Sequence, residues 1–375
     1  MSGPLIWINA CEPSGDLHGA LLAKALRAAC PNILLTGMGG TAMEQAGVSL
    51  TLRMENLSVM GISEVVGYLP RVFGMWRTIR RSLAQERPAA VVLIDSPDFH
   101  LRIARMAHAL RIPVFYYISP QVWAWRPGRV QFLKKYVRRM LCILPFEPDF
   151  YRARGMAADY VGHPLVDELR RAEFLQVTPE KKRVGILPGS RKTEIERLMP
   201  VFSQTAELLG RRDPEINFVV IKAPGINEAF LRRCCVNEQN MTFLEPGQRY
   251  RHMRECALIM AASGTVTLES SLLGVPTIVA YKCSRLSFLV AVRLVKVPAI
   301  SLTNLILKKN VLPEFIQHQA TPENLANKAW SWLHDQREME AVRRELDKLS
   351  ALLAAGGVPE RTATIILRDL SLLRG

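Results

Sequence analysis

Short, nearly uncharged apolar runs recur along the chain, each ending in a turn and each followed by a stretch of helical periodicity. The first is Leu5-Ile6-Trp7-Ile8-Asn9, which leads through a turn into L-H-G-A-L-L-A-K-A-L, with Asp16 as the expected N-cap. The unit recurs at A-V-V-L-I-D (90–95), P-V-F-Y-Y-I (113–118) and R-M-L-C-I-L (139–144). Strands that lack polar alternation are buried on both faces, so the pattern predicts a parallel sheet between two layers of helices. The polar stretch Asp167–Lys182 breaks the rhythm and reads as a linker. A second series then begins: V-G-I-L-P (184–188), F-V-V-I-K (218–222), A-L-I-M-A-A (257–262) and T-I-V-A-Y (277–281). The sequence thus predicts two consecutive doubly wound α/β domains, residues 1–166 and 183–357. A last helical segment, 358–375, packs on either domain and is able to complete the first. A length of 375 residues suits two cores better than one. Ligands of such sheets bind outside the carboxyl ends of the strands, so the expected site is a cleft between the strand-end loops of the two domains.

Composition narrows the partners. Lys and Arg number 49 against 34 Asp and Glu, a formal charge of +15, which favours an anionic partner: nucleic acid, acidic lipid headgroups or phosphorylated sugars. No RNP-type, C₂H₂ or basic-zipper signature is present and the Arg clusters lie among apolar residues, so a nucleic-acid-binding protein is the weakest of these readings. The seven cysteines are odd in number and show no C-x-x-C spacing, which suits reduced cytosolic thiols. The N-terminal apolar run is too short for a signal-peptide core, and no stretch reaches the ~18 uncharged residues of a spanning helix. The expectation is a cytoplasmic protein whose membrane contact, if any, is peripheral.

Three loops carry candidate chemistry. A-S-G-T-V-T-L-E-S (262–270) follows a strand and opens a helix, so Ser263, Gly264 and Thr265 sit at a positive helix end suited to phosphate. Glu269, one turn deeper, is within reach of an attached ribose; the alternative is an ordinary N-cap with a solvated Glu. L-P-G-S-R-K-T-E (187–194) also follows a strand and presents backbone donors, Ser190 and the cationic Arg191. An Arg fork grips a diphosphate and stabilises charge on a departing nucleoside diphosphate, although a surface Arg on a plain turn fits the same residues. In the first half, A-V-V-L-I-D runs into S-P-D-F and puts Asp95 at a strand's carboxyl end, as a general base or a structural turn acid. Asp98 is the expected N-cap of the next helix. The loop C-E-P-S-G-D-L-H-G (11–19) lacks the Lys-Ser/Thr ending of a P-loop and any G-x-G-x-x-G series, but Glu12 and Ser14 face the presumed cleft. His163 has no clustered ligand partners, so it reads as a hydrogen-bonding core residue, and no metal site or cofactor is expected.

Residues 60–87 combine apolar and basic faces. Ile62, Val65, Val66, Leu69, Val72, Phe73 and Trp76 follow helical spacing, with a bend or split expected at Pro70. Met60, Tyr68 and Met75 lie off that stripe, and Arg71, Arg77, Arg80, Arg81 and Arg87 crowd the same region. Two apolar faces with a basic rim suit an interfacial element on anionic lipid; core packing with a solvated basic face is the alternative.

E-P-S-G-D, V-M-G-I-S-E-V, D-S-P-D-F, I-S-P-Q-V-W-A-W-R, L-P-F-E, Y-V-G-H-P, L-P-G-S-R, A-S-G-T-V-T-L-E and I-S-L-T-N-L occur in this order along almost the whole chain. In these motifs the sequence resembles the lipid-A-disaccharide synthases, inverting glycosyltransferases with two Rossmann-like domains of the GT-B type. The resemblance implies transfer from UDP-2,3-diacylglucosamine to 2,3-diacylglucosamine 1-phosphate (lipid X) with a β-1,6 link and release of UDP. It implies metal-independent catalysis, without a cofactor, at the cytoplasmic face of the inner membrane. Residue by residue, it makes Asp95 the base, Arg191 a required arginine, Asn304 and the Ser263-Gly264-Thr265 loop UDP contacts, and Glu12 and Ser14 first-loop contacts. Thr303 stands where the family commonly has proline. The sequence does not distinguish a monomer from a homodimer. A UDP-N-acetylglucosamine 2-epimerase-like enzyme shares the architecture and is the rival enzymatic reading.

Overall fold

The computed structural model describes residues 3–55, 65–125, 128–169, 172–238, 240–284, 288–289, 297–353 and 356–372. The chain divides into two compact units, Met1–Pro164 with Gly356–Gly375, and Leu165–Ala355.

The first unit is built on a seven-stranded parallel sheet. Its strands are β1 (Leu5–Asn9), β2 (Leu34–Gly39), β3 (Ser49–Arg53), β4 (Ala90–Ile94), β5 (Val114–Tyr117), β6 (Arg139–Cys142) and β7 (Ala158–Tyr160), in the order β3-β2-β1-β4-β5-β6-β7. The double winding is visible in single strands. Ile6 and Ile8 of β1, Val92 and Ile94 of β4, and Phe115 and Tyr117 of β5 enter one core, shared with Leu22 and Leu26 of the helix Pro13–Ala29. Trp7, Val91, Leu93 and Tyr116, which alternate with them, enter a second core on the other face, under Ile79 and Leu83 of the helix Val65–Glu86. Burial on both faces explains why the runs read as continuous apolar stretches. The final helix, Val358–Asp369, inserts Val358, Ala363, Ile366 and Leu367 into the first of these cores.

The second unit carries β8 (Glu180–Leu187), β9 (Asn217–Ile221), β10 (Met241–Leu244), β11 (Cys256–Ala262), β12 (Thr277–Tyr281) and β13 (Glu314–Ile316), all parallel, in the order β10-β9-β8-β11-β12-β13. Both sheets therefore reverse direction of growth next to their first strand, between β1 and β4 and between β8 and β11. These are the topological switch points at which doubly wound sheets open to ligands.

Several local expectations are corrected. Asp16 does not cap its own helix, which begins at Pro13 behind Glu12. Its buried carboxylate instead accepts from the amides of Gly40 (2.7 Å), Ala42 (2.9 Å) and Met43 (3.1 Å), and so caps the next short helix, Thr41–Gln45. Ser96, not Asp98, stands at the N-cap before Pro97–Ala109, and exposed Asp98 pairs with Arg129 at 3.3 Å. The helix Val65–Glu86 runs through Pro70 without a break. The stretch taken as a linker holds the short helices Pro164–Leu169 and Ala172–Leu175.

Candidate functional site

In the second unit, β8 and β11 lie side by side and their carboxyl-end loops flank a cavity of about 220 Å³ lined by Gly189, Ser190, Glu194, Lys222, Arg249, Gly264 and Glu269. The helix Thr265–Leu272 starts at Gly264 with no side chain capping it. Its leading amides precede the first intrahelical bond, which leaves them and the positive helix end facing the cavity. Glu269 is buried, and Arg249 donates to it at 2.6 Å while also bonding the Tyr250 hydroxyl at 2.7 Å. Burial holds the Glu269 carboxyl above the ordinary range, with Arg249 opposing the rise.

Three expected contacts have other work. Ser263 donates its amide to Ala280 (3.1 Å) and its hydroxyl to Ile300 (3.1 Å), so its lone pairs alone face outward. In the other loop Arg191 is the N-cap of the helix Lys192–Arg212, and burial raises the Glu194 carboxyl while the Arg191 charge and the nearby Ser190 and Arg191 amides oppose the rise. A carboxylate thus stands near the backbone donors expected for a phosphate, while Arg191 is exposed. The side chain of Asn304, expected to contact UDP, is engaged within the fold. Its amide nitrogen donates to Leu312 O and Glu314 (both 2.8 Å) and its oxygen accepts from Val311 and Leu312 (both 2.9 Å), which uses all four positions inside the fold. Thr303, where a proline was expected, ties the helix Leu302–Leu307 to Thr265–Leu272 by bonding Ser271 Oγ (2.8 Å) and Thr267 O (3.1 Å).

At the switch point of the first unit, Asp95 directly follows β4 and Glu12 ends the loop after β1. Asp95 and Ser96 adopt left-handed backbone angles in succession, φ 52° and 43°. For residues other than glycine each such angle costs roughly 1–2 kcal/mol, so the surrounding contacts must impose it. The Ser96 hydroxyl donates to Glu12 at 3.2 Å. Burial, with the neighbouring Glu12 charge, raises the Asp95 carboxyl above its usual range, while the Ser96 amide opposes this. Ser14 is exposed in the first turn behind Pro13. Two of the quoted motifs also meet: Glu147 of L-P-F-E accepts from Ser119 (2.5 Å), Trp123 (3.0 Å) and the Leu144 amide (3.0 Å), and burial pushes its carboxyl up to about 7.

In the helix Val65–Glu86, Phe73 is 60% exposed and Arg77, Arg80 and Arg81 are exposed. Met75 is corrected: it is buried in the same core as Ile79 and Leu83, so the buried stripe runs one position away from the expected one. Trp76 is half-buried, edge-on to Phe73 and under the Arg102 guanidinium, 3.9 Å from the ring centre. Met60 and the side chain of Tyr68 lie outside the described residues. Among the described residues no helix is long and apolar enough to cross a membrane.

Sequence reasoning missed Arg249, Lys222 and Glu194. Glu194 carried a signal, three residues after the N-cap; Arg249 and Lys222 carried none, because only the order of β8, β9 and β11 brings them to the cavity.

Solved structures with the same fold include the calicheamicin glycosyltransferase CalG4, at 14% identity, full coverage of both chains and a TM-score of 0.62. A second is the UDP-GlcNAc 2-epimerase from Neisseria meningitidis, at 11% identity, 98% and 99% coverage and a TM-score of 0.60. The epimerase likeness is one of fold alone. Relatives in sequence are far closer. The lipid-A-disaccharide synthase of Solibacter usitatus is 38% identical over 371 residues and that of Geobacter metallireducens 37% over 372, each covering 97% of both chains. Residues 6–357 match the family model described as lipid-A-disaccharide synthetase. The chain belongs to the lipid-A-disaccharide synthase family, glycosyltransferases of lipid A biosynthesis.

Proposed function

We propose that this glycosyltransferase takes a UDP-linked diacylglucosamine as donor and 2,3-diacylglucosamine 1-phosphate as acceptor, and joins them through a β-1,6 bond with release of UDP. One observation carries the reading: two like sheets present unlike chemistry at equivalent switch points, a carboxylate after β4 in one, and in the other an uncapped helix start after β11 beside a cationic loop after β8. Inversion by single displacement needs both. Asp95 takes the proton of the acceptor's 6-hydroxyl as its oxygen attacks the anomeric carbon. The bond from that carbon to the diphosphate breaks, and its electron pair leaves with UDP. Gly264 and Thr265, at the head of Thr265–Leu272, and Arg191 hold the departing diphosphate, while Glu269, set by Arg249, takes the ribose hydroxyls. Ser190 and Ser263 contribute through their oxygen atoms, and Asn304 acts from behind by shaping the 300–312 segment. Glu12 and Ser14 contact the acceptor side. Phe73 with Arg77, Arg80 and Arg81 rests on the anionic lipid of the inner membrane's cytoplasmic face, where both substrates reside.

The test is UDP release with both lipids, each omitted in turn. Release only when both are present supports the reading. Turnover of the donor alone, with an epimerised sugar as product, overturns it.

A further inference from the structure

Behind Asp95 lies a buried polar chain that the reaction above does not use. Trp7 Nε1, which only donates, bonds Asn9 Oδ1 at 3.2 Å, and this turns the Asn9 amide nitrogen toward His100 Nε2 at 2.9 Å. Nε2 therefore accepts, and the Cys11 thiol 3.1 Å away faces the same atom. The proton of the neutral ring must then sit on Nδ1, which lies 2.6 Å from the Asp95 carbonyl oxygen. Tyr116 donates its hydroxyl to that same oxygen, also at 2.6 Å. Asn9 and His100 are fully buried, and burial drives the imidazole down to about 4, which keeps it neutral. The strand amide of Asp95 bonds Tyr117 O at 3.0 Å, so the residue is fixed on both sides of its left-handed turn.

We propose that His100 and Tyr116 are positioning residues for the transfer: their two hydrogen bonds to the Asp95 carbonyl hold the strained Asp95-Ser96 turn and thereby aim the Asp95 carboxylate at the acceptor hydroxyl. The proposal rests on Asp95 as the base. It assigns a function to the histidine of D-S-P-D-F-H, and it extends to Trp7 and Asn9, which set the ring's tautomer.

The test compares His100→Leu, His100→Asn, Tyr116→Phe and Asp95→Asn in the full chain, with kcat and KM for both lipids, UDP affinity and thermal unfolding. His100→Leu should lower kcat by about 100-fold, the scale of a misplaced catalytic group, with KM and UDP affinity little changed. His100→Asn returns an N–H near the Nδ1 position and should recover most of that loss. Tyr116→Phe should lower kcat by roughly tenfold, one hydrogen bond's worth. A residue that only stabilises the fold would lower the unfolding temperature without moving kcat per folded molecule. If His100→Leu does not fold, Tyr116→Phe decides: wild-type kcat overturns the proposal, and a selective fall supports it. An inactive Asp95→Asn beside a fully active His100→Leu overturns the positioning role alone. An active Asp95→Asn removes the base assignment and the proposal with it.

Discussion

Gly264 and Gly189 stand in the two loops beside the second unit's cavity, yet an alanine at each should fail for opposite reasons. At Gly264 the backbone is extended, φ 163° and ψ −164°, and an added methyl meets nothing within 4 Å. The protein itself gives no reason for glycine there. The open space is what a diphosphate would fill when it bonds the helix-start amides. Gly264→Ala should therefore fold with stability within about 0.5 kcal/mol of the parent. A methyl between phosphate and amide removes one charge-assisted hydrogen bond of about 1.5–3 kcal/mol, so UDP should bind roughly 10- to 100-fold more weakly. Gly189 has φ 114°, a conformation closed to L side chains, and its added methyl would lie 2.2 Å from Glu194 Oε2. Gly189→Ala should lose about 1–3 kcal/mol of stability through that strain and should push the Glu194 carboxylate aside as well. Titration calorimetry with UDP and thermal unfolding of both variants separate the effects. If Gly264→Ala binds UDP as tightly as the parent, the space above it is not a phosphate site and the donor assignment fails with it.

Removing either proposed chemical group should leave the fold intact: Asp95→Asn should lose about 10²–10⁴ in kcat, the usual worth of a general base. Arg191→Ala should lose about 10²–10³, the worth of one electrostatic donor; near-parent UDP release in a variant ends that residue's role. Because burial and Glu12 hold the Asp95 carboxyl above the ordinary carboxylate range, kcat should fall as pH drops through that raised value. Glu12→Gln removes a neighbouring negative charge, so the acid limb should move to lower pH; a limb that stays put counts against Asp95. Arg249→Ala strands the buried Glu269 carboxylate and should weaken UDP binding by about 10- to 100-fold, with partial recovery in Arg249→Lys. Sedimentation with anionic vesicles should weaken by roughly 100-fold when Arg77, Arg80 and Arg81 become Ser, at about 1 kcal/mol per charge near the surface, and equal binding by both proteins would remove the basic-rim assignment.

The strands of the two sheets were legible because burial on both faces leaves no polar residue to interrupt them. Ala90–Ile94 and Cys256–Ala262 are buried throughout. Strands of three residues, Ala158–Tyr160 and Glu314–Ile316, leave too little pattern to read. Helix starts were legible to within a few residues, but not the identity of their caps, because Asp16 serves a neighbouring helix that folding brings to it. The loops after β4, β8 and β11 could be named from motifs, since a strand that ends in a small or acidic residue carries that signature locally. What each donor does could not be read. The side chain of Asn304 is occupied by partners whose placement depends on tertiary packing. The left-handed Asp95-Ser96 turn was invisible for the same reason: neither residue is glycine, and the groups that hold it, His100 and Tyr116, come from two different elements.

The last helix has a consequence for biosynthesis. Val358, Ile366 and Leu367 fill the core beneath Pro13–Ala29, Arg361 bonds Val161 O at 2.9 Å, and Asp369 pairs with Arg139 at 3.0 Å. On the ribosome the strands of the first unit emerge first but lack this helix until the whole second unit, Leu165–Ala355, has been made. The unit that starts earlier finishes later, and the nascent chain carries an uncovered apolar face while the second unit is synthesised. A chain stopped between Leu353 and Val358 should thus cripple the half of the enzyme that was made first.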